Sequence, residues 1–283
     1  MYDSNIPFIN DVNIPDVIEL KNICQSYDGG KTFIIKDLNL LIEDNTSNGK
    51  FVVVLGTSGC GKSTLLRFIT GIQKPTSGQV LINGKAREDK TVIGMVFQQY
   101  SSFPWLSVLD NVALGLKFKG VPEKERHARA MEMIKLVGLE GQESKYAKYP
   151  TLSGGQLQRV AIARSLVSTP EILVLDEPFG ALDIHTRLKM QELLCQIWSK
   201  LKTTVIFVTH DIPEAVYLGD EIFIMRSSPG MIAEKIVVDL PYERNALMKR
   251  EKRFTDQVYN IEDKLKAIQS HVDEEKTQKR AQI

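Results

Sequence analysis

The stretch Phe51-Val52-Val53-Val54-Leu55-Gly56-Thr57-Ser58-Gly59-Cys60-Gly61-Lys62-Ser63 decides the fold. It opens on an unbroken apolar run, the pattern of a strand buried on both faces in a parallel sheet. From Gly56 it fits G-x-x-x-x-G-K-[ST], and the sequence from Lys62 reads as a helix ending near Gly71, with Pro75 just beyond. Strand, glycine-rich turn and helix in that order form the context of a phosphate-binding loop. The glycines let successive backbone N–H groups curl inward around phosphate oxygens. The helix adds the positive end of its dipole. Lys62 would reach the β- and γ-phosphates as a mobile charge, and Ser63 would give its hydroxyl to Mg²⁺. Gly56, Thr57, Ser58, Gly59, Cys60, Gly61 and Thr64 complete the expected cradle. Cys60, beside Lys62 and a helix N-terminus, is expected to be an acidified, reactive thiol.

Outward from this loop, strand and helix patterns alternate. Val17–Tyr27 and Thr32–Ile42 read as strands joined into a hairpin by the turn Asp28-Gly29-Gly30. Val80–Ile82, Val92–Phe97, Ile172–Leu175, Val205–Val208, Ile222–Met225 and Met231–Leu240 read as further strands. Helical patterns run from Pro122 to Gly138, from Gly154 to before Pro170, and from Arg187 to Leu201. The alternation predicts an α/β fold with a right-handed, mostly parallel sheet. An antiparallel β part stands at its N-terminal side, and a helical insertion occupies about 98–169. The chain divides into an N-terminal extension (1–16), a nucleotide-binding domain (17–241) and a charged helical tail (242–283). In the tail, Leu247, Phe254, Val258, Ile261, Leu265, Ile268 and Val272 share one helical face. That face either packs on its own domain or meets a partner, and the end from Asp273 is expected to fray.

With 283 residues, 43% of them hydrophobic, the chain can bury a full core. Lys and Arg number 36 against 35 Asp and Glu, so no overall field draws nucleic acid or an anionic membrane. No apolar run approaches the roughly 20 residues of a membrane span. Met1–Asn13 lacks the basic and apolar regions of a secretory signal. Cys24, Cys60 and Cys195 fit neither a disulfide framework nor a metal-ligand spacing, as expected in a reducing cytoplasm.

Ile172-Leu173-Val174-Leu175-Asp176-Glu177 is an apolar strand ending in two carboxylates, at the strand end where open α/β sheets bind ligands. Asp176 would hold Mg²⁺ and Glu177 would polarise an attacking water. Strand alternation is expected to turn the two toward opposite sides. Leu152-Ser153-Gly154-Gly155-Gln156 opens a helix, with Ser153 suited to the N-cap and the glycines leaving N–H groups open to an anion.

The whole string from Leu152 to Gln156, placed before the Asp176–Glu177 strand, resembles the signature motif of ABC ATPases, which share a P-loop NTPase fold. The resemblance covers Val17 to Leu240 in the family's order. It implies that Tyr27 stacks on adenine and that Gln98 is the loop glutamine beside catalysis and Mg²⁺. It also implies that Asp183, in Ala181-Leu182-Asp183, follows the strand carboxylates and that His210 is the switch histidine. The cofactors implied are ATP and Mg²⁺. Two copies would form a homodimer head to tail, Ser153, Gly154, Gly155 and Gln156 of one covering ATP on the loop of the other. Lys62, Gln98, Glu177 and His210 would be its catalytic residues.

Ser102–Val108, Asp110–Leu116, Glu214–Asp220, Ser228–Gly230 and Val238–Pro241 are similar to stretches of the nitrate, sulfonate, taurine and bicarbonate importers. That resemblance implies two membrane-spanning permease subunits, a periplasmic or extracellular solute-binding protein, and a peripheral place on the cytoplasmic face of the cell membrane. A permease helix would dock on apolar surface near Gln98. The alternatives are an exporter or lipid-trafficking ATPase, and a soluble ABC protein of DNA repair or translation. A single cassette with a short insertion and no cysteine clusters argues against the last, and so against a nucleic-acid partner.

Overall fold

A computed structural model describes residues 16–43, 49–87, 92–99 and 101–281. The expected N-terminal extension therefore lies outside the described residues except for Asp16. Strands β1 (Asp16–Gln25) and β2 (Ile35–Glu43) pair antiparallel across the Asp28–Gly30 turn, followed by β3 (Phe51–Gly56) and helix α1 (Lys62–Thr70). Next come β4 (Ser77–Ile82), β5 (Lys85–Ala86) and β6 (Ile93–Val96). Helices α2 (Val108–Phe118), α3 (Glu123–Leu136) and α4 (Gly154–Leu166) separate these from β7 (Ile172–Asp176). The chain continues through α5 (Ile184–Leu201), β8 (Thr204–Thr209), α6 (Ile212–Leu218), β9 (Glu221–Arg226), β10 (Met231–Val237), a 3₁₀ turn (Ala246–Arg250) and α7 (Lys252–Ala281).

The strands form two sheets, one ordered β2-β1-β4-β5 and the other β10-β9-β3-β8-β7-β6. The first is antiparallel; in the second every pairing is parallel except that of β10 with β9. The phosphate-loop strand β3 lies at the centre, where its apolar run buries both faces. Phe51, Val53 and Leu55 face the helical side, whereas Val52 and Val54 face α1 and the antiparallel sheet. Each such buried side chain contributes roughly 2 kcal/mol. Parallel order carries the C-terminal ends of β3, β6, β7 and β8 to one edge, where the phosphate loop lies.

The tail packs on its own domain. Phe254, Ile261, Ile268 and Val272 of α7 are buried, and the helix rests on α6 and β9. Leu247 departs from the expected face: it lies in the 3₁₀ turn and is exposed. The helix also runs past Asp273 instead of fraying there, because Val272 is buried and Arg226 pairs with Glu275 at 3.0 Å.

Candidate functional site

Gly61 caps α1 with φ 105° and Gly59 has φ 80°, both in the left-handed region that favours glycine. A Cβ on Gly61 would also come to 3.0 Å from Ile35 and Met225 side-chain atoms, so that position is tight as well as left-handed. The Lys62 ammonium donates to the carbonyls of Gly56 at 2.8 Å and Thr57 at 3.0 Å, and lies 3.4 Å from Glu177 Oε1. Ser63 Oγ donates to Asp176 Oδ1 at 3.1 Å. The sequence-expected loop and strand carboxylates therefore meet.

They do so on one side. Asp176 ends β7, but Glu177 takes φ 42°, and the chain leaves the pleat before the next side chain can alternate. Both carboxylates reach the phosphate loop, correcting the expectation that they face opposite ways. Glu177 Oε2 lies 3.1 Å from His210 Nδ1, just after β8, and accepts a 3.5 Å contact from Gln98 Nε2, just after β6. Glu177 thus has a lysine at one oxygen and an imidazole and an amide at the other. Burial pushes the Asp176 acid above the usual carboxylate range, while the Ser63 hydroxyl opposes it.

Ser63 and Asp176 offer hard oxygen donors side by side. Among the described residues there is no cluster of three or more His, Cys, Asp or Glu able to hold a metal alone. A donor set this sparse fits Mg²⁺, which is held by one or two protein oxygens with phosphate oxygens and waters completing its shell.

Cys60 contradicts its expectation. It is 1% exposed, and its Sγ sits where a Cβ on Gly56 would come within 2.9 Å. Burial pushes the thiol up, and the lowering effect of Lys62 does not overcome it. Its backbone belongs to the loop while its side chain turns into the core.

The remaining expected residues lie on other elements. Tyr27 presents a ring that is 63% exposed, its hydroxyl accepting from Gln73 Nε2 at 2.8 Å. Ser153 is exposed and caps α4: its Oγ accepts from the Gln156 N–H at 3.3 Å, and Gln156 Oε1 accepts from the Ser153 N–H at 2.9 Å. That box opens the helix, leaving Gly154 and Gly155 in its first turn. A Cβ on Gly155 would meet Thr186 Cγ2 at 2.5 Å, so α4 and α5 start side by side. Asp183 caps α5 by accepting from the Thr186 N–H at 3.0 Å, and its bonds to Thr186 hold its carboxyl below the usual range.

Sequence reasoning missed several supporting residues. Buried Asn111 ties the backbone of Phe103, Leu106 and Ser107, shaping a loop whose Trp105 is 67% exposed. Tyr146 and Tyr149 are also exposed, and Tyr146 bridges to Ser107. Arg164 donates to the Ser101 carbonyl at 2.7 Å and lies over the Phe103 ring, tying α4 to this aromatic surface. Thr209 and Glu214, on either side of His210 and Asp211, bond each other in the core. The spacing Asp211-x-x-Glu214 was a readable helix-start signal.

Residues 38–180 match the sequence profile of the family described as ABC transporter. The nitrate import ATP-binding protein NrtD of Synechocystis sp. is 43% identical over 80% of this chain and 85% of its own length. The aliphatic sulfonates import ATP-binding protein SsuB of Bacillus subtilis is 43% identical over 81% of this chain and 86% of its own length. A solved dimeric structure of a bacterial ABC transporter cassette covers 79% of this chain and all of its own, with 37% identity and a TM-score of 0.67. The chain belongs to the ABC transporter family as an ATP-hydrolysing subunit.

Proposed function

We propose that this ABC ATPase drives uptake of a small anion of the nitrate, sulfonate or taurine class, coupling ATP binding and hydrolysis in a head-to-tail homodimer to two membrane-spanning permease subunits. The similarity to nitrate and sulfonate import subunits supports the anion class. No helix among the described residues is long and apolar enough to cross a membrane, in keeping with a peripheral subunit on the cytoplasmic face that receives solute from a separate binding protein through the permease. The exposed aromatic surface at Phe103, Trp105, Tyr146 and Tyr149 is our docking site for a permease helix. We read 17–241 as the cassette and 242–283 as an appendage to it.

The carrying observation is the convergence of Lys62, Gln98 and His210 on Glu177. In this reading the loop N–H groups and Lys62 hold the β- and γ-phosphates, Lys62 exchanging its Gly56 and Thr57 carbonyls for phosphate oxygens. Tyr27 stacks on adenine. Ser63 and Asp176, with Gln98 beside them, hold Mg²⁺, which when bound neutralises charge on the phosphates. Glu177 orients the attacking water and accepts its proton. His210 contacts the γ-phosphate and that water, and Gln98 reports occupancy to the helical insertion. Ser153, Gly154, Gly155 and Gln156 of the second copy close over the same nucleotide, with Asp183 of that copy at the seam. Catalysis is then positioning plus charge neutralisation.

Glu177→Gln tests the assignment. The variant should bind ATP, accumulate as a closed dimer on size exclusion, and lose about 100-fold or more in turnover. Near-normal turnover would remove Glu177 from the water-activating role.

A further inference from the structure

His210 stands between two residues that are themselves held from below. Thr209 Oγ1 donates to Glu214 Oε2 at 2.6 Å and accepts from the Asp211 N–H at 3.1 Å, while Asp211 Oδ1 accepts from the Glu214 N–H at 2.8 Å. The flanks of His210 are thus closed into one ring of hydrogen bonds with Glu214 at its base. Glu214 is 5% exposed and needs a second donor, which Gln191 of α5 supplies through Nε2 at 2.9 Å.

A glutamine amide has one donating and one accepting end, and Gln191 is buried with little else to orient it. Its Oε1 accepts from Lys249 Nζ at 2.6 Å. Lys249 comes from the tail, in the 3₁₀ turn before α7, and its ammonium lies 4.0 Å from the centre of the buried Tyr217 ring. The cation fixes which end of the amide faces Glu214. Without it, a flipped Gln191 would set oxygen against oxygen, and Glu214 would lose a donor where water has no ready access.

We propose that Lys249 is a positioning residue for His210, acting through Gln191 and Glu214, so that the C-terminal tail sets the geometry of the γ-phosphate switch. The proposal rests on the assignment of His210 made above. It gives the tail a part in catalysis without any contact between tail and nucleotide. Neighbouring tail residues hold the same platform: Arg244 donates to the carbonyls of Tyr217 and Gly219, and the Tyr242 ring packs tilted against Trp198 at 4.5 Å between centroids. These contacts anchor the strap on α5 and α6. Among the described tail residues, only Lys249 enters the chain leading to Thr209.

The test uses the full-length protein carrying Lys249→Met, which keeps an unbranched apolar stem over Tyr217 and removes the donor. ATP turnover and KM are measured beside carbethoxylation of His210 by diethyl pyrocarbonate, read by mass spectrometry with exposed His185 and His271 as internal references. Expected are a fall in kcat of about tenfold with KM within about twofold, and a change of at least about threefold in His210 modification relative to the references. Lys249→Arg, which can donate to Gln191 and stack on Tyr217, should restore both. The proposal is overturned if kcat or relative His210 reactivity is unmoved, or if Lys249→Arg restores neither. Should Lys249→Met fail to fold, Glu214→Gln decides on the same two readouts, since its single amide oxygen can accept from only one of Thr209 and Gln191. His210→Ala separates the two failures: normal turnover there sinks the site assignment, whereas lost turnover with an inert Lys249→Met sinks only this proposal.

Discussion

Cys60 occupies a loop that binds an anion, beside a lysine and at the start of a helix, yet its thiol is withdrawn beneath Gly56. Motif position gives the field at a residue, whereas reactivity also requires exposure, which the fold decides. Burial keeps the thiol protonated and out of reach. In the folded protein, iodoacetamide should therefore label Cys60 at least about tenfold more slowly than the half-buried Cys24, with no further protection by MgATP. Peptide mass spectrometry after timed labelling measures this; equal rates would place the thiol at the surface. Lys62, Ser63, Asp176 and Glu177 were legible because their chemistry follows from the motif and the strand end. The turn of Glu177 toward the loop was not, since one positive φ undoes the alternation on which the sequence reading relied.

Among the elements, those with an unbroken apolar run or a long helical period could be read, and α6 and β5, which have neither, could not. β3, β7 and β8 each hold an unbroken apolar run because both faces are covered, and α5 and α7 are long enough for their period to show. Helix α6 has seven residues including Pro213, too few for a period, and β5 has two exposed ones. Helix α4 was found by its cap and apolar positions, but its tie to the exposed aromatic surface was invisible, since Arg164 reads in sequence as an ordinary helix-face cation. In the fold its guanidinium donates to the carbonyl and hydroxyl of Ser101, so the helix that begins at Ser153 also carries the loop of Phe103. Arg164→Met should lower stability by about 2 kcal/mol, because the Ser101 carbonyl loses a partly buried charged donor. Urea unfolding followed by far-UV circular dichroism checks this through the midpoint. An unchanged midpoint would mean that water replaces the guanidinium at no cost.

For the whole molecule, the sequence announced two sets of nucleotide-facing residues, and the fold keeps them on different elements. Lys62, Ser63, Gln98, Asp176, Glu177 and His210 gather at one sheet edge. Ser153, exposed, caps α4, and its side chain bonds with Gln156 of its own helix turn. If two copies pair head to tail, each ATP draws on the loop of one and the helix start of the other. That arrangement yields a test no single-chain site can pass. Lys62→Ala spoils the loop and spares the helix start; Ser153→Arg places a long cation on the exposed cap and spares the loop. Each variant alone should hydrolyse ATP poorly, because every site in its homodimer is defective. Mixed one to one, half of the randomly formed dimers pair the two kinds. One site in each mixed dimer then takes its loop from the Ser153→Arg copy and its helix start from the Lys62→Ala copy, both intact. With independent sites, turnover should recover to about a quarter of the wild-type value. A mixture no more active than its parts would place catalysis within one chain, or show that both sites must be intact for either to fire. Mixing either variant with wild type separates these outcomes: independent sites leave a mixed dimer half active, whereas obligately coupled sites leave it inactive.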